Sequence, residues 1–128
     1  MPRKEVIAPA SLGTAGPPLS PAIKVGNMVY VSGQVGRHPA TGQMGNNIRE
    51  QTRNALERIK VILEAAGTSL DNVVSANCWL ANQGDFAAFN EEYAKYFPTD
   101  RPARATVQSS LMASGALVEI MVTACIPD

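Results

Sequence analysis

The stretch 101-RPARATVQSSLMASGALVEIMVTACI-126 decides how the rest of the chain is arranged. Pro102 stands where a strand can start without an N–H, and Ala103 to Val107 follows as a short strand with Arg104 among small residues. After a small-residue loop, Ala116 to Ile126 is a β-branched run. Side chains alternate along a strand, so Leu117, Glu119, Met121, Thr123 and Cys125 share one face while Val118, Ile120, Val122, Ala124 and Ile126 share the other. Glu119 is the only charge in that run. An unpaired carboxylate is costly to desolvate. Three arrangements satisfy that constraint: an Arg104–Glu119 ion pair, a Glu119 facing solvent on a half-exposed sheet, or an Arg104 that clamps an anion beside a Glu119 that activates water. The alternation alone leaves all three open.

Upstream, Ile23–Val25 and Met28–Ser32 flank Gly26-Asn27, the glycine-first connection of a type II′ hairpin. Apolar residues at 48, 55, 56, 59, 62, 63 and 66 predict a core-facing helix over Ile48–Ala66. Asn46 or Asn47 would cap it, and Gly67 stands at the C′ position. No chemistry is assigned to this helix. Val73–Leu80 reads as a strand in which Trp79 is a packing or interface residue. A second helix starts at Asp85 as N-cap and ends before Pro98, with Phe86, Phe89, Tyr93 and Phe97 as a core stripe. Residues 1–21, with Pro2, Pro9, Pro17, Pro18, Pro21, Gly13 and Gly16, predict an irregular arm with one short strand near Val6-Ile7. The order β-β-α-β-α-β-β implies an α+β class: one domain over 1–128, with both helices packed on one face of a mixed sheet.

Composition narrows the function. Eleven basic and eleven acidic residues in 128 give a formal net charge of zero, without the footprint of a nucleic-acid binder. The charged start Met1-Pro2-Arg3-Lys4-Glu5 leads into no apolar segment, and no run approaches the length of a membrane span. A soluble, cytoplasmic protein is expected. Cys78 and Cys125 read as buried free thiols. With no CxxC pair and only His38, placed in a turn-rich loop, zinc sites and Ser-His-Asp triads lack their parts. The segment Gly33-Gln34-Val35-Gly36 lacks the ending of a phosphate loop and reads as a strand end. Acid–base work falls to carboxylates.

The string Pro102-Ala103-Arg104-Ala105-Thr106-Val107, with Leu117-Val118-Glu119-Ile120 after a loop, resembles the signature of the Rid family of enamine/imine deaminases, also called YjgF or L-PSP. Gly26 to Gln34, the helix from Gln51-Thr52-Arg53-Asn54-Ala55-Leu56 to Ala65-Ala66-Gly67, and Asp85 to Asn90 with Tyr93 and Phe97 resemble it in the same order, over nearly the whole chain. The resemblance implies a chorismate-mutase-like fold, assembled as a homotrimer with sites between subunits. It also implies hydrolysis of 2-enamino or 2-imino acids such as 2-aminoacrylate to 2-keto acids and ammonia, without metal or organic cofactor. On that basis Arg104 would hold the substrate carboxylate and Glu119 would activate water, while Gly33, Thr106, Asn90 and Leu19 would line the pocket.

Two positions depart from the family pattern. Thr106 stands where many members have Cys, and Leu19 stands where many have a pocket Tyr, which implies a shifted substrate range. A non-catalytic keto-acid-binding or protein-interaction module on the same trimer is one alternative. A pathway-specific aminoacrylate or aminomuconate deaminase is another. The zero net charge counts against the ribonuclease activity sometimes attached to the family.

Overall fold

The computed structural model describes residues 3–13 and 16–128, so positions 1–2 and 14–15 of the expected arm lie outside it. Eight elements matter: β1 Glu5–Ile7, β2 Ala22–Val25, β3 Met28–Val35, α1 Ile48–Ala65, β4 Val73–Leu80, α2 Phe86–Tyr96, β5 Ala103–Gln108 and β6 Val118–Cys125. They form one sheet in the order β1-β2-β3-β6-β4-β5, antiparallel except for the parallel pair β4–β5, which α2 connects. The mixed sheet with two helices on one face is the expected architecture. Inserting β6 between β3 and β4 brings the two ends of the chain's chemistry into one plane.

Local signals explain the boundaries. Gly26 takes φ +58° while Asn27 keeps negative φ, which suits a glycine-first II′ turn between β2 and β3. Asn47 is the cap of α1: its side chain accepts from Glu50 N at 2.9 Å. At the other end Gly67 takes φ +89°, and the bonds Gly67 N to Glu64 O and Thr68 N to Leu63 O close a Schellman motif. Asp85 occupies the N-cap of α2, yet its side chain makes no capping bond, because a preceding turn over Gln83–Asp85 already enters the helix.

The core is the layer between the helices and the sheet. Leu56, Ile59, Ile62 and Leu63 of α1 and Phe89 of α2 are fully buried against Val29, Val31, Val118, Ile120, Val122 and Ala124. Each of the Val, Leu, Ile and Phe side chains among them contributes about 1.5–3 kcal/mol by leaving water. The other face of the sheet is open. Tyr30 and Met121 stand exposed there beside half-buried Trp79 and Glu119. Two expectations need correction. Phe86 does not join the buried stripe of Phe89, Tyr93 and Phe97 but is 45% exposed at the first turn of α2. Cys125 is only half-buried, since its side of β6 faces the open side, whereas Cys78 is buried.

One irregularity sits in β3. Its pairing with β6 shifts register between Val31 and Gln34, so Ser32 and Gly33 occupy a bulge. Val31 and Gln34 therefore both face the helices, and Gly33 is turned toward β6.

Candidate active site

The candidate residues form two groups. The first lies on the edge strand β5 and on α2. Arg104 pairs with Ala76 and Thr106 with Cys78; Ala76 and Cys78 are buried under the helices, so Arg104 and Thr106 face the helix side. There the Arg104 guanidinium carbon stands 4.8 Å from the ring centre of Tyr93, 5.3 Å from Phe89 and 5.8 Å from Phe86. Aromatic faces attract the cation and hold its plane. They also explain why Phe86 is exposed, since it forms the rim of this platform. Arg104 makes no hydrogen bond or ion pair among the described residues, so its fork is free to take an anion.

Among the described residues Asn90 Oδ1 and the Tyr93 hydroxyl are buried without a partner, and Thr106 Oγ1 has at most a weak bond with the Cys78 thiol beside it. Buried polar atoms are normally satisfied, so unpartnered ones beside a free guanidinium leave capacity for a polar ligand. Burial pushes the Cys78 thiol up to about 11, against the pull of Arg104, and the Tyr93 hydroxyl up to about 12. Both keep their protons at neutral pH. Neither is a ready nucleophile.

The second group lies across the bulge. Glu119 pairs with Val35 on one side and Trp79 on the other; its neighbours Val118 and Ile120 are buried under the helices, so the carboxylate points to the open face. A Cβ on Gly33 would overlap Glu119 Oε2. Gly33 thus exists to let the carboxylate lie across the backbone of β3. Leu19, from the arm, is 59% exposed and lines a common cavity with Gly33.

The Arg104–Glu119 ion pair, one of three readings of the sequence, is therefore excluded within one chain. Parity is the reason: Arg104 is level with Ala76 on β4 and Glu119 with Trp79, positions an odd number apart, so the two side chains leave the sheet on opposite sides. Within one chain the structure sets Arg104 and Thr106 beside the stripe of α2 that carries Phe86, Asn90 and Tyr93, and separately groups Gly33 with Glu119 and with Leu19. It does not unite the two groups.

Sequence reasoning missed other residues. Gln51 is 1% exposed and donates to Gly45 O and Gly115 O while accepting from Leu117 N at 2.7 Å, so it pins the entry to β6 two residues before Glu119. Gln34 and Arg58 form a hydrogen-bonded pair at 3.0 Å on the helix side of the bulge. The available signal was polarity on the apolar stripe: Gln51 lies four residues before Ala55, and Arg58 four before Ile62.

Comparison with known proteins gives a consistent picture. The family described as Endoribonuclease L-PSP matches residues 10–126. A RutC family protein of Pyrococcus horikoshii is 44% identical over 91% of this chain and 94% of its own. A protein of Capra hircus named 2-iminobutanoate/2-iminopropanoate deaminase is 42% identical over 88% of this chain and 80% of its own. The crystal structure of RidA from an Antarctic Psychrobacter superposes with a TM-score of 0.88 at 37% identity, over 95% of this chain and all of that one (100%).

Proposed function

The chain belongs to the Endoribonuclease L-PSP family, and from that premise we propose that it hydrolyses reactive 2-imino and 2-enamino acids to 2-keto acids and ammonia, at a site completed by a second copy of the chain. The name carried by its goat relative supports the reaction class. The observation that carries the reading is the division of the candidate residues: a free arginine fork with orphaned polar atoms on one face, and a carboxylate laid over a glycine on the other. Each half lacks what the other has. A closed ring of copies, with one half-site from each neighbour, supplies both. A homotrimer fits that requirement.

The chemistry follows from the two halves. Arg104 holds the substrate carboxylate through two parallel charge-assisted bonds, a geometry lysine does not reproduce. Thr106 Oγ1 and Asn90 Oδ1 have free capacity to orient the polar head of the substrate. Glu119 accepts a proton from water as the water oxygen bonds to the imine carbon and the C=N π pair moves to nitrogen. Return of that proton to nitrogen gives the carbinolamine; a second transfer, from its hydroxyl to nitrogen through Glu119, lets the C–N bond break with its electron pair leaving on ammonia while the O–H pair becomes the keto C=O. Orientation supplies most of the acceleration, since imines also hydrolyse in bulk water.

The test is release of ammonia and keto acid from imino acids generated in situ by an amino-acid oxidase, with wild type and Arg104→Ala at matched concentration. Acceleration by wild type that the substitution abolishes is the expected result. Binding of 2-oxobutanoate by a wild type that leaves the uncatalysed rate unchanged would replace the deaminase reading with that of a keto-acid-binding module.

A further inference from the structure

A second cavity, of about 170 Å³, lies at the edge of the sheet away from the arm, between the end of β5 and the entry to α2. Leu80, Phe86 and Val107 give it an apolar wall, Gln83 and Gln108 border it as uncharged polar residues, and Thr106 completes the lining. No residue of the arm belongs to it.

This cavity adjoins the Arg104 clamp on the same side of the sheet. Arg104, Thr106 and Gln108 are alternate residues of β5, level with Ala76, Cys78 and Leu80 of β4, and so share the face toward the helices. Phe86 belongs to both places: its ring centre is 5.8 Å from the Arg104 guanidinium carbon, and the residue lines the cavity. Gln108 is tethered at the far rim, where its Nε2 donates to Ala81 O at 3.3 Å. A molecule whose carboxylate lies on the Arg104 fork can therefore extend past Thr106 into the cavity. No part of it has to cross the sheet.

The trigonal carbon of a 2-imino acid carries a carboxylate, a nitrogen and a side chain. With the carboxylate on Arg104 and the nitrogen kept clear for the attack of water, the side chain needs a place of its own. Size and polarity define what the cavity accepts. At roughly the 30 Å³ that a water molecule occupies in the liquid, it holds about five non-hydrogen atoms. Its lining carries no charged side chain among the described residues, so an ionised end group would surrender water without gaining a counter-charge.

We propose that this cavity is the side-chain subsite of the deaminase, bounded by Gln83 and Phe86, and that it favours 2-imino acids with an uncharged side chain of about three to five non-hydrogen atoms. The inference rests on the deaminase reading and narrows its substrate class.

The experiment offers 2-iminohexanoate, 2-iminopropanoate and 2-iminoglutarate, each generated in situ by an amino-acid oxidase, to wild type, Gln83→Trp and Gln83→Arg. Gln83 is exposed, so either replacement leaves the core undisturbed. Ratios of kcat/KM are taken within each protein, so loss of folded material cancels. Wild type is expected to favour 2-iminohexanoate over 2-iminopropanoate by about tenfold, as the added methylenes partly leave water, and over 2-iminoglutarate by at least as much. Gln83→Trp fills the cavity and should bring the first ratio close to one. Gln83→Arg supplies the missing counter-charge and should shift the second toward 2-iminoglutarate by about tenfold. A wild-type first ratio near one, or ratios that the two substitutions do not move, would overturn the inference and leave the deaminase reading intact. Failure to accelerate hydrolysis of any of the three sinks the deaminase reading instead. Titration calorimetry with 2-oxohexanoate and pyruvate then decides the cavity: a preference for the longer acid that Gln83→Trp removes supports it, and equal affinities overturn it.

Discussion

Arg104 and Glu119 project from opposite faces of one sheet, Arg104 over the rings of α2 and Glu119 across the bulge of β3. A substrate a few ångströms long cannot bridge a sheet. On the proposed function, what these two residues do together they do across a contact between copies. The open face, with exposed Tyr30 and Met121 and half-buried Trp79, is the kind of apolar surface on which such a contact forms.

Arg104→Lys keeps the charge but loses the planar fork. With the rings of Tyr93 and Phe89 still in place, the expected result is a KM raised about tenfold or more and a smaller change in kcat. Steady-state kinetics on a monocarboxylic imino acid decide it. Unaltered KM would remove Arg104 from carboxylate recognition.

Gly33→Ala addresses the other half. The added Cβ meets the end of a flexible carboxylate, not backbone, so Glu119 can swing aside and stability should change by less than about 1 kcal/mol. The carboxylate is then misplaced by roughly an ångström. A fall in kcat of about 10–100-fold with unchanged melting behaviour is expected, and equal loss of stability and activity would point to a purely structural glycine.

Gln51→Met removes three hydrogen bonds from a side chain that is 1% exposed and leaves Gly115 O and Leu117 N without their partner. The expected cost is about 2–4 kcal/mol in urea denaturation. Because the clamp sets the entry to β6, kcat should also fall in the protein that remains folded, whereas KM, governed by the Arg104 half, should hold.

How much of this was legible beforehand differs between the elements and the site. The helix over Ile48–Ala65 and the strand Val73–Leu80 followed from periodicity, and the turn at Gly26 followed from its residue pair, because each is fixed by local chemistry. The resemblance named Arg104 and Glu119. What it could not give was their separation, since strand order and pairing parity arise from contacts between segments distant in sequence. The bulge at Ser32–Gly33 was hidden for the same reason: only pairing with β6 reveals the extra residue. Arg58 and Gln51 were overlooked because a polar residue on an apolar stripe is usually solvated, and here loops fold back to meet it.

The buried thiol and phenol predict an alkaline limit. Cys78 is raised from 9.0 to about 11 in the folded chain. Above pH 9 the unfolded chain ionises this thiol while the folded chain keeps it protonated, so the unfolded state is favoured as pH rises. Stability is fully present below about pH 9 and declines toward pH 11, by about 2–3 kcal/mol from this group. Tyr93, raised from 10.0 to about 12, extends the decline in the same direction. Denaturation midpoints at pH 8 and pH 10.5 measure it, and Cys78→Val should flatten the slope.

Subunit complementation tests the central claim most directly. Arg104→Ala and Glu119→Gln proteins, each inactive alone, are unfolded together, refolded at equal ratio and assayed for ammonia release from an imino acid. If each site takes Arg104 from one copy and Glu119 from its neighbour, random assembly leaves about a quarter of sites intact, and about that fraction of wild-type activity returns. A mixture as inactive as its parents, in demonstrably mixed oligomers, would contradict a site shared between Arg104 of one copy and Glu119 of the next.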